Sequence, residues 1–130
     1  MSVSVVRVKP GVRFDIIAPA GFRILAAIDA LTQKLGRDVL ITCGTDSHTL
    51  PDPHCKGEAY DVGVFGWSAT EIESALRHMR LALGDPFTVL YEVPVRPSDP
   101  TLRPLAYVNP KATGNHFHIQ RKMNTEYPPV

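Results

Sequence analysis

The sequence predicts an α+β domain, in which a mainly antiparallel sheet has helices packed on one face. Two segments have apolar residues at helical spacing, and short runs rich in β-branched residues lie between and around them. Their order is strand, helix, strand, loop, strand, helix, strand, strand, which is typical of α+β architecture. At 130 residues the chain has the length of one domain, so we assign residues 1–130 to a single domain.

The first half of the chain contains two candidate strands, an extended piece and a helix. Residues 2–8 alternate in a manner typical of a short strand, and residues 12–17 form a second candidate extended piece. A helix follows Pro19 and ends at Gly36, a residue type that commonly terminates helices. Its apolar stripe consists of Ile24, Ile28, Leu31 and Leu35. The β-branched run at residues 39–42 predicts a strand.

The middle of the chain contains a predicted loop, a strand, a second helix and a further strand. Residues 44–53 have the composition of a loop, and residues 58–64 predict a strand in which alternate side chains share a face. Ser68 begins a capping-box pattern and therefore a second helix, which ends at Gly84. The apolar stripe of this helix consists of Ile72, Leu76, Met79 and Leu83. Residues 87–92 predict a strand that ends in a carboxylate.

The C-terminal third contains a proline-rich segment. Residues 93–114 contain five prolines, so we expect a long, mostly irregular insertion in which residues 105–108 can pair briefly. Residues 116–121 predict the last strand, and residues 123–130 a flexible tail.

Composition and charge exclude several classes of function. Fourteen basic and thirteen acidic side chains give a net charge of +1, so we expect no nucleic-acid partner. The sequence has no apolar run long enough to span a bilayer, so we expect no membrane association. The N-terminus lacks the features of a secretory signal peptide. We therefore expect a cytoplasmic location, or release by a non-classical or phage-lysis route.

A histidine and an aspartate, His54 and Asp61, lie seven positions apart, and two further imidazoles follow at His116 and His118. Two imidazole nitrogens and one carboxylate are a ligand set that suits a catalytic zinc with one open position. Gly57 permits a backbone turn that brings His54 back toward Asp61. Because residues two apart in a strand share a face, one of the paired histidines can bind metal while the other contacts a substrate oxygen.

Zinc-dependent hydrolysis also needs a base that accepts a proton from water, and a glutamate usually fills that role. Glu92 has the most suitable position, because it closes a strand rich in β-branched and aromatic residues. The other glutamates lie on the opposite strand face, at a helix start or in the tail: Glu58, Glu71, Glu73 and Glu126.

The pattern His54-x-x-Gly57-x-Ala59-x-Asp61, a helix, a strand ending in Tyr91-Glu92, and then His116-x-His118 closely resembles the Hedgehog/DD-peptidase fold. That group includes zinc D-Ala-D-Ala carboxypeptidases and dipeptidases, L-alanyl-D-glutamate endopeptidases and the Hedgehog signalling domain. The resemblance spans about residues 20 to 121. It implies a peptidase that acts on peptidoglycan stem peptides or small D-amino-acid peptides.

The resemblance also implies a role for each residue of the motif. His54, Asp61 and His118 would bind Zn²⁺, Glu92 would act as the catalytic base, and His116 would stabilise the oxyanion. The segment between Glu92 and His116 is longer than the short turn usual in the family. We expect this insertion to form one wall of the substrate cleft.

We assign the candidate substrate contacts to Ser47, His48, Trp67 and Tyr91. For His48 an ordinary loop histidine is the simpler interpretation, and for Trp67 a half-buried packing role is more typical.

Two questions stay open at the level of sequence. Cys43 and Cys55 can be reduced thiols near the site, a disulfide, or metal contacts. The alternative function is a catalytically silent, zinc-containing binding or phage structural module, because one fold hosts several functions.

Overall fold

A computed structural model describes residues 3–45, 54 and 56–122. The described residues form six strands and two helices: β1 (Val6–Val8), α1 (Pro19–Leu35), β2 (Val39–Cys43), β3 (Ala59–Gly63), α2 (Ala69–Leu83), β4 (Phe87–Val93), β5 (Ala106–Val108) and β6 (His116–Arg121). The prediction of an α+β fold is confirmed. The predicted tail at residues 123–130 lies outside the described residues.

The strands form one mixed sheet in the order β1-β2-β3-β6-β4-β5. The three inner pairs are antiparallel, but the two outer pairs, β1 with β2 and β4 with β5, are parallel. The prediction of a mainly antiparallel sheet is therefore only partly right. Parallel neighbours need a crossover connection, which α1 provides at one edge and residues 94–105 provide at the other.

Sequence alternation places the core on one side of the sheet. Both helices contribute to a single buried cluster with alternate residues of the central strands: Ile41, Tyr60, Val62, Val89, Phe117 and Ile119. The residues between them, including Asp61, Glu92 and His118, are only half-buried. Because side chains alternate across a strand, these polar residues lie on the sheet face opposite the core.

Helix α1 begins with Pro19 in its first turn and ends at Gly36, which has the left-handed φ of 64°. The start of this helix packs against Gly57, in the turn that carries His54. A side chain at Gly21 would collide with the carbonyl oxygen of Gly57, so the helix approaches this turn at backbone distance. The backbone N–H of Ala18 donates to the same oxygen at 3.3 Å.

Helix α2 begins with the predicted capping box. The backbone N–H of Glu71 donates to the Ser68 hydroxyl at 3.1 Å, and the Ser68 N–H donates to the Glu71 carboxylate at 2.9 Å. Neither helix among the described residues has the length and apolar character that a membrane crossing requires.

Of the remaining expected elements, residues 12–17 form no strand, whereas residues 106–108 pair with β4 as β5. The expected brief pairing within residues 105–108 is thus confirmed, and the partner strand is β4.

Candidate metal centre

The register of the three central strands brings the polar residues of the sequence motifs into two neighbouring rows. Asp61 of β3 lies opposite His118 of β6, and Gly63 lies opposite His116. On the other side of β6, Glu92 of β4 also lies opposite His116. Directly opposed residues share a face in an antiparallel pair, so both rows lie on the sheet face opposite the core.

Three candidate metal ligands converge in the first row. His54 Nε2 lies 3.4 Å from Asp61 Oδ1 and 3.4 Å from His118 Nδ1, and His118 Nδ1 lies 2.9 Å from Asp61 Oδ1. Ligand atoms bound about 2.0 Å from a tetrahedral zinc lie roughly 3.3 Å from one another. The spacing of the three atoms therefore fits one metal ion between them.

The outer nitrogen of each imidazole faces a carbonyl-type oxygen. His54 Nδ1 donates to the backbone oxygen of Gly44 at 3.1 Å, and His118 Nε2 donates to Gln120 Oε1 at 2.7 Å. When each ring is neutral, these bonds place its proton on the outer nitrogen, so His54 Nε2 and His118 Nδ1 face Asp61 with lone pairs. A second ring proton turns the inner nitrogen into a hydrogen-bond donor to Asp61. Histidines that bind metals usually have this arrangement of outer hydrogen bonds.

The electrostatics of the cluster favour a positive charge within it. Burial raises the pKa of Asp61, but hydrogen bonds from His118 and His54 outweigh burial and hold that pKa well below its usual range. Burial lowers the pKa of His118, but the hydrogen bond and charge of Asp61 outweigh burial and raise it. Three electron-pair donors this close repel one another unless a proton or a metal ion lies between them.

The second row holds the predicted base and its neighbour. His116 Nε2 lies 2.9 Å from Glu92 Oε1 and 3.9 Å from Asp61 Oδ2. His116 Nδ1 donates to the backbone oxygen of Gly114 at 3.0 Å. Since that bond uses one ring proton, the short contact with Glu92 needs a second proton on one of the two groups. A second proton on either group would be shared between Glu92 and His116, next to the candidate metal ligands.

Cys43 joins the cluster from the other side of β3. A ring nitrogen of His54, a carboxylate oxygen of Asp61 and Cys43 Sγ lie within 4.8 Å of one another, so this group can hold a metal ion. The sequence analysis left open whether Cys43 contacts the metal. Strand alternation did not indicate it, because the pairing of β2 with β3 is irregular at this point.

The two predicted substrate contacts that the structure describes, Trp67 and Tyr91, lie away from the cluster. Ser47 and His48 lie outside the described residues, as does Cys55. Trp67 packs at 5.9 Å from the Phe117 ring, on the core side of the sheet. Tyr91 is only 1% exposed and its ring lies 5.8 Å from the same phenylalanine.

A pocket of about 450 Å³ opens at the end of the sheet near these two aromatic residues. The insertion contributes Leu102 and Gly114 to its lining, and Asn115 lies between Gly114 and His116. The insertion therefore forms part of the wall of this pocket, and its last residue, Gly114, precedes His116 by two positions. Trp67 and Tyr91, on the core side of the sheet, line the same pocket. We still predict that the insertion borders the substrate cleft.

Comparison with known proteins returned no matching family model, no similar curated protein and no similar solved structure.

Proposed function

We propose that this protein is a zinc-dependent peptidase of the Hedgehog/DD-peptidase type, which hydrolyses peptidoglycan stem peptides or other D-Ala-containing peptides. The observation that carries the proposal is the convergence of His54 Nε2, Asp61 Oδ1 and His118 Nδ1 within 2.9–3.4 Å. A glutamate–histidine pair lies in the neighbouring row of the same sheet face. Two nitrogens, a carboxylate and an adjacent glutamate are the set that zinc hydrolases use.

The three ligands fit a metal ion by chemistry as well as by spacing. Asp61 is ionised at neutral pH, and the outer nitrogens of both histidines donate to Gly44 and Gln120. A metal ion would displace any proton shared between Asp61 and the inner nitrogens, which would then bind the ion through their lone pairs. Zinc bound there would supply Lewis-acid polarisation of a substrate carbonyl and activation of water.

Glu92 and His116 would divide the proton chemistry. Glu92 accepts a proton from the attacking water and returns it to the leaving amine. His116, with its Nδ1–H anchored on Gly114, directs Nε2 toward the reacting centre and donates to the oxygen on which negative charge develops. Their side chains are each 15% exposed, so both groups are mostly buried.

The substrate class follows from the motif resemblance rather than from the geometry of the site. The order of His54-x-x-Gly57-x-Ala59-x-Asp61 and His116-x-His118 matches enzymes that cut peptides containing D-amino acids.

The test is hydrolysis of purified peptidoglycan and of D-Ala-D-Ala, with zinc measured on the same sample and on His118→Ala. We expect one zinc per chain, and loss of both metal and hydrolysis in the variant. His78→Ala is the matched control, because this histidine lies on α2, away from the cluster. Absence of zinc from the wild type would refute the proposal, and zinc without hydrolysis would refute the peptidase part of it.

A second candidate function is a zinc-containing binding module without catalysis. The proximity of Cys43 to His54 and Asp61 favours this candidate, because sites closed by four protein ligands are usually structural. Zinc that stays bound in Glu92→Gln, together with no hydrolysis by the wild type on either substrate, would support it.

A further inference from the structure

Cys43 is the last residue of β2 and reaches the sheet face opposite the core through a local irregularity. In the ladder between β2 and β3, Ile41 lies opposite Val62, and Cys43 lies opposite Asp61. Between these two pairs β2 advances by two residues while β3 advances by one, so Thr42 is an extra residue. This arrangement is a β-bulge.

The bulge decides which face the thiol occupies. In a regular ladder Thr42 would lie opposite Asp61, and Cys43 would point toward the core, because a shift of one residue exchanges the faces. With the extra residue, Cys43 lies opposite Asp61 and shares its face. Bulges often redirect a side chain in this way beside functional sites.

The distances place the sulfur within reach of a shared ion. Cys43 Sγ, a ring nitrogen of His54 and a carboxylate oxygen of Asp61 are separated by no more than 4.8 Å. Zn–S and Zn–N bonds of about 2.3 and 2.0 Å put sulfur and nitrogen ligands roughly 3.5 Å apart. A side-chain movement of little more than about 1 Å would therefore bring the sulfur into the ligand shell.

We propose that Cys43 binds the metal as a thiolate together with His54 and Asp61. The inference rests on the metal site of the proposed function, but not on its hydrolytic activity. A thiolate beside His54, Asp61 and His118 would be a fourth protein ligand, which closes the position that hydrolysis needs and favours the second candidate function. Binding replaces the S–H bond with a sulfur–metal bond and releases the proton to solvent, with no change of oxidation state. A thiolate in the shell makes the site favour Zn²⁺, Co²⁺ or Cd²⁺ over Mg²⁺ and Mn²⁺.

The decisive measurement is the absorption spectrum of the full-length, reduced protein loaded with Co²⁺. We expect the near-ultraviolet band of thiolate-to-cobalt charge transfer in the wild type and in Cys55→Ser. In Cys43→Ser this band should vanish while the visible bands of bound Co²⁺ persist. Cys55→Ser is the matched control, because it removes the other thiol of the chain.

A second readout needs no variant. Iodoacetamide labelling followed by mass spectrometry gives the modification rate of each cysteine, and Zn²⁺ should slow the modification of Cys43. This measurement remains informative if Cys43→Ser does not fold.

The outcomes separate this inference from the metal site itself. Cobalt bound by the wild type without charge transfer, or charge transfer that survives in Cys43→Ser and disappears in Cys55→Ser, would overturn the role of Cys43 alone. Failure of the reduced wild type to bind either Co²⁺ or Zn²⁺ would overturn both this inference and the proposed function.

Discussion

The side-chain oxygen of Gln120 lies 2.7 Å from Nε2 of His118, two residues earlier on the same face of β6. An amide oxygen only accepts hydrogen bonds, so this contact fixes the ring proton on Nε2 and leaves Nδ1 facing Asp61. The amide nitrogen of Gln120 donates in turn to the backbone oxygen of Arg121 at 3.4 Å, which favours this orientation of the amide. Gln120 therefore positions a candidate ligand without touching the site of the metal.

Replacing Gln120 with leucine should weaken zinc binding while the candidate ligands remain. Loss of the outer hydrogen bond leaves the imidazole of His118 free to change tautomer, and such losses typically cost about 10- to 100-fold in metal affinity. Competition with a chromogenic chelator measures the affinity. Gln33→Leu, on the exposed side of α1, is the matched control and should bind zinc like the wild type. Equal affinity in the two variants would contradict a positioning role for Gln120.

Glu92→Gln should abolish hydrolysis and retain the metal. The amide cannot accept a proton from water, and loss of a general base typically lowers turnover by at least about 100-fold. The measurement combines kcat on a D-Ala-containing peptide with the zinc content of the same sample. Glu73→Gln is the control, because Glu73 is on α2 and pairs with Arg77. Unchanged kcat in Glu92→Gln would remove this residue from the mechanism.

Much of the fold follows from patterns that are local in sequence. The two helices end at Gly36 and Gly84, where positive φ favours glycine, and α2 begins at a capping box visible in the residues Ser68 and Glu71. The direction of the outer strands, in contrast, does not follow from local sequence patterns. The pairing of β1 with β2, and of β4 with β5, depends on where each connection returns the chain, so sequence alternation alone did not reveal two parallel pairs.

The part of the candidate site that depends on the alternation of side chains along a strand was predictable from the sequence. His116 and His118 share a face because they are two residues apart, and the same alternation places Glu92 beside His116 and Tyr91 on the opposite face. For Cys43 the alternation of side chains predicts the wrong face. The extra residue Thr42 shifts the register of β2 by one, so Cys43 lies on the same face as Asp61. No composition or spacing signal in the printed sequence marks that bulge.

The stability of the protein should depend on Glu71 in a pH-sensitive way. The backbone N–H of Ser68 and the guanidinium of Arg37 lower the pKa of this carboxyl, although slight burial acts in the opposite direction. A lowered pKa stabilises the fold above the pKa of the unfolded chain, about 4.3, and this stabilisation is lost as pH falls through the folded value. The pair is partly exposed, so we expect roughly 0.5 kcal/mol.

Urea unfolding of the wild type and of Glu71→Gln at pH 7 and pH 3 measures this contribution. The glutamine can still accept the Ser68 N–H, so the variant isolates the charge. The difference in the free energy of unfolding should be fully present at pH 7 and should be smaller at pH 3, below the pKa of the unfolded chain. A difference of equal size at both values would assign the effect to packing instead.

The turn that carries His54 depends on Gly57, and its replacement should separate backbone strain from steric collision. Gly57 has a φ of 70°, and its N–H donates to the carbonyl oxygen of His54 at 3.0 Å. A Cβ there would also collide with the backbone oxygen of Ile16. Gly36 has a similar φ of 64° but nothing within 4 Å of an added Cβ, so Gly36→Ala is the matched control.

Gly36→Ala should cost only the left-handed strain of an alanine, about 1 kcal/mol of unfolding free energy. Gly57→Ala should cost about 3 kcal/mol or more, since the turn must also move away from residues 16 and 17. Because His54 moves with the turn, the folded fraction of Gly57→Ala should bind zinc more weakly than Gly36→Ala. Urea unfolding and chelator competition measure the two effects on the same samples. Equal losses of stability in both variants, with equal zinc affinity, would show that the close approach at Gly57 does not position His54.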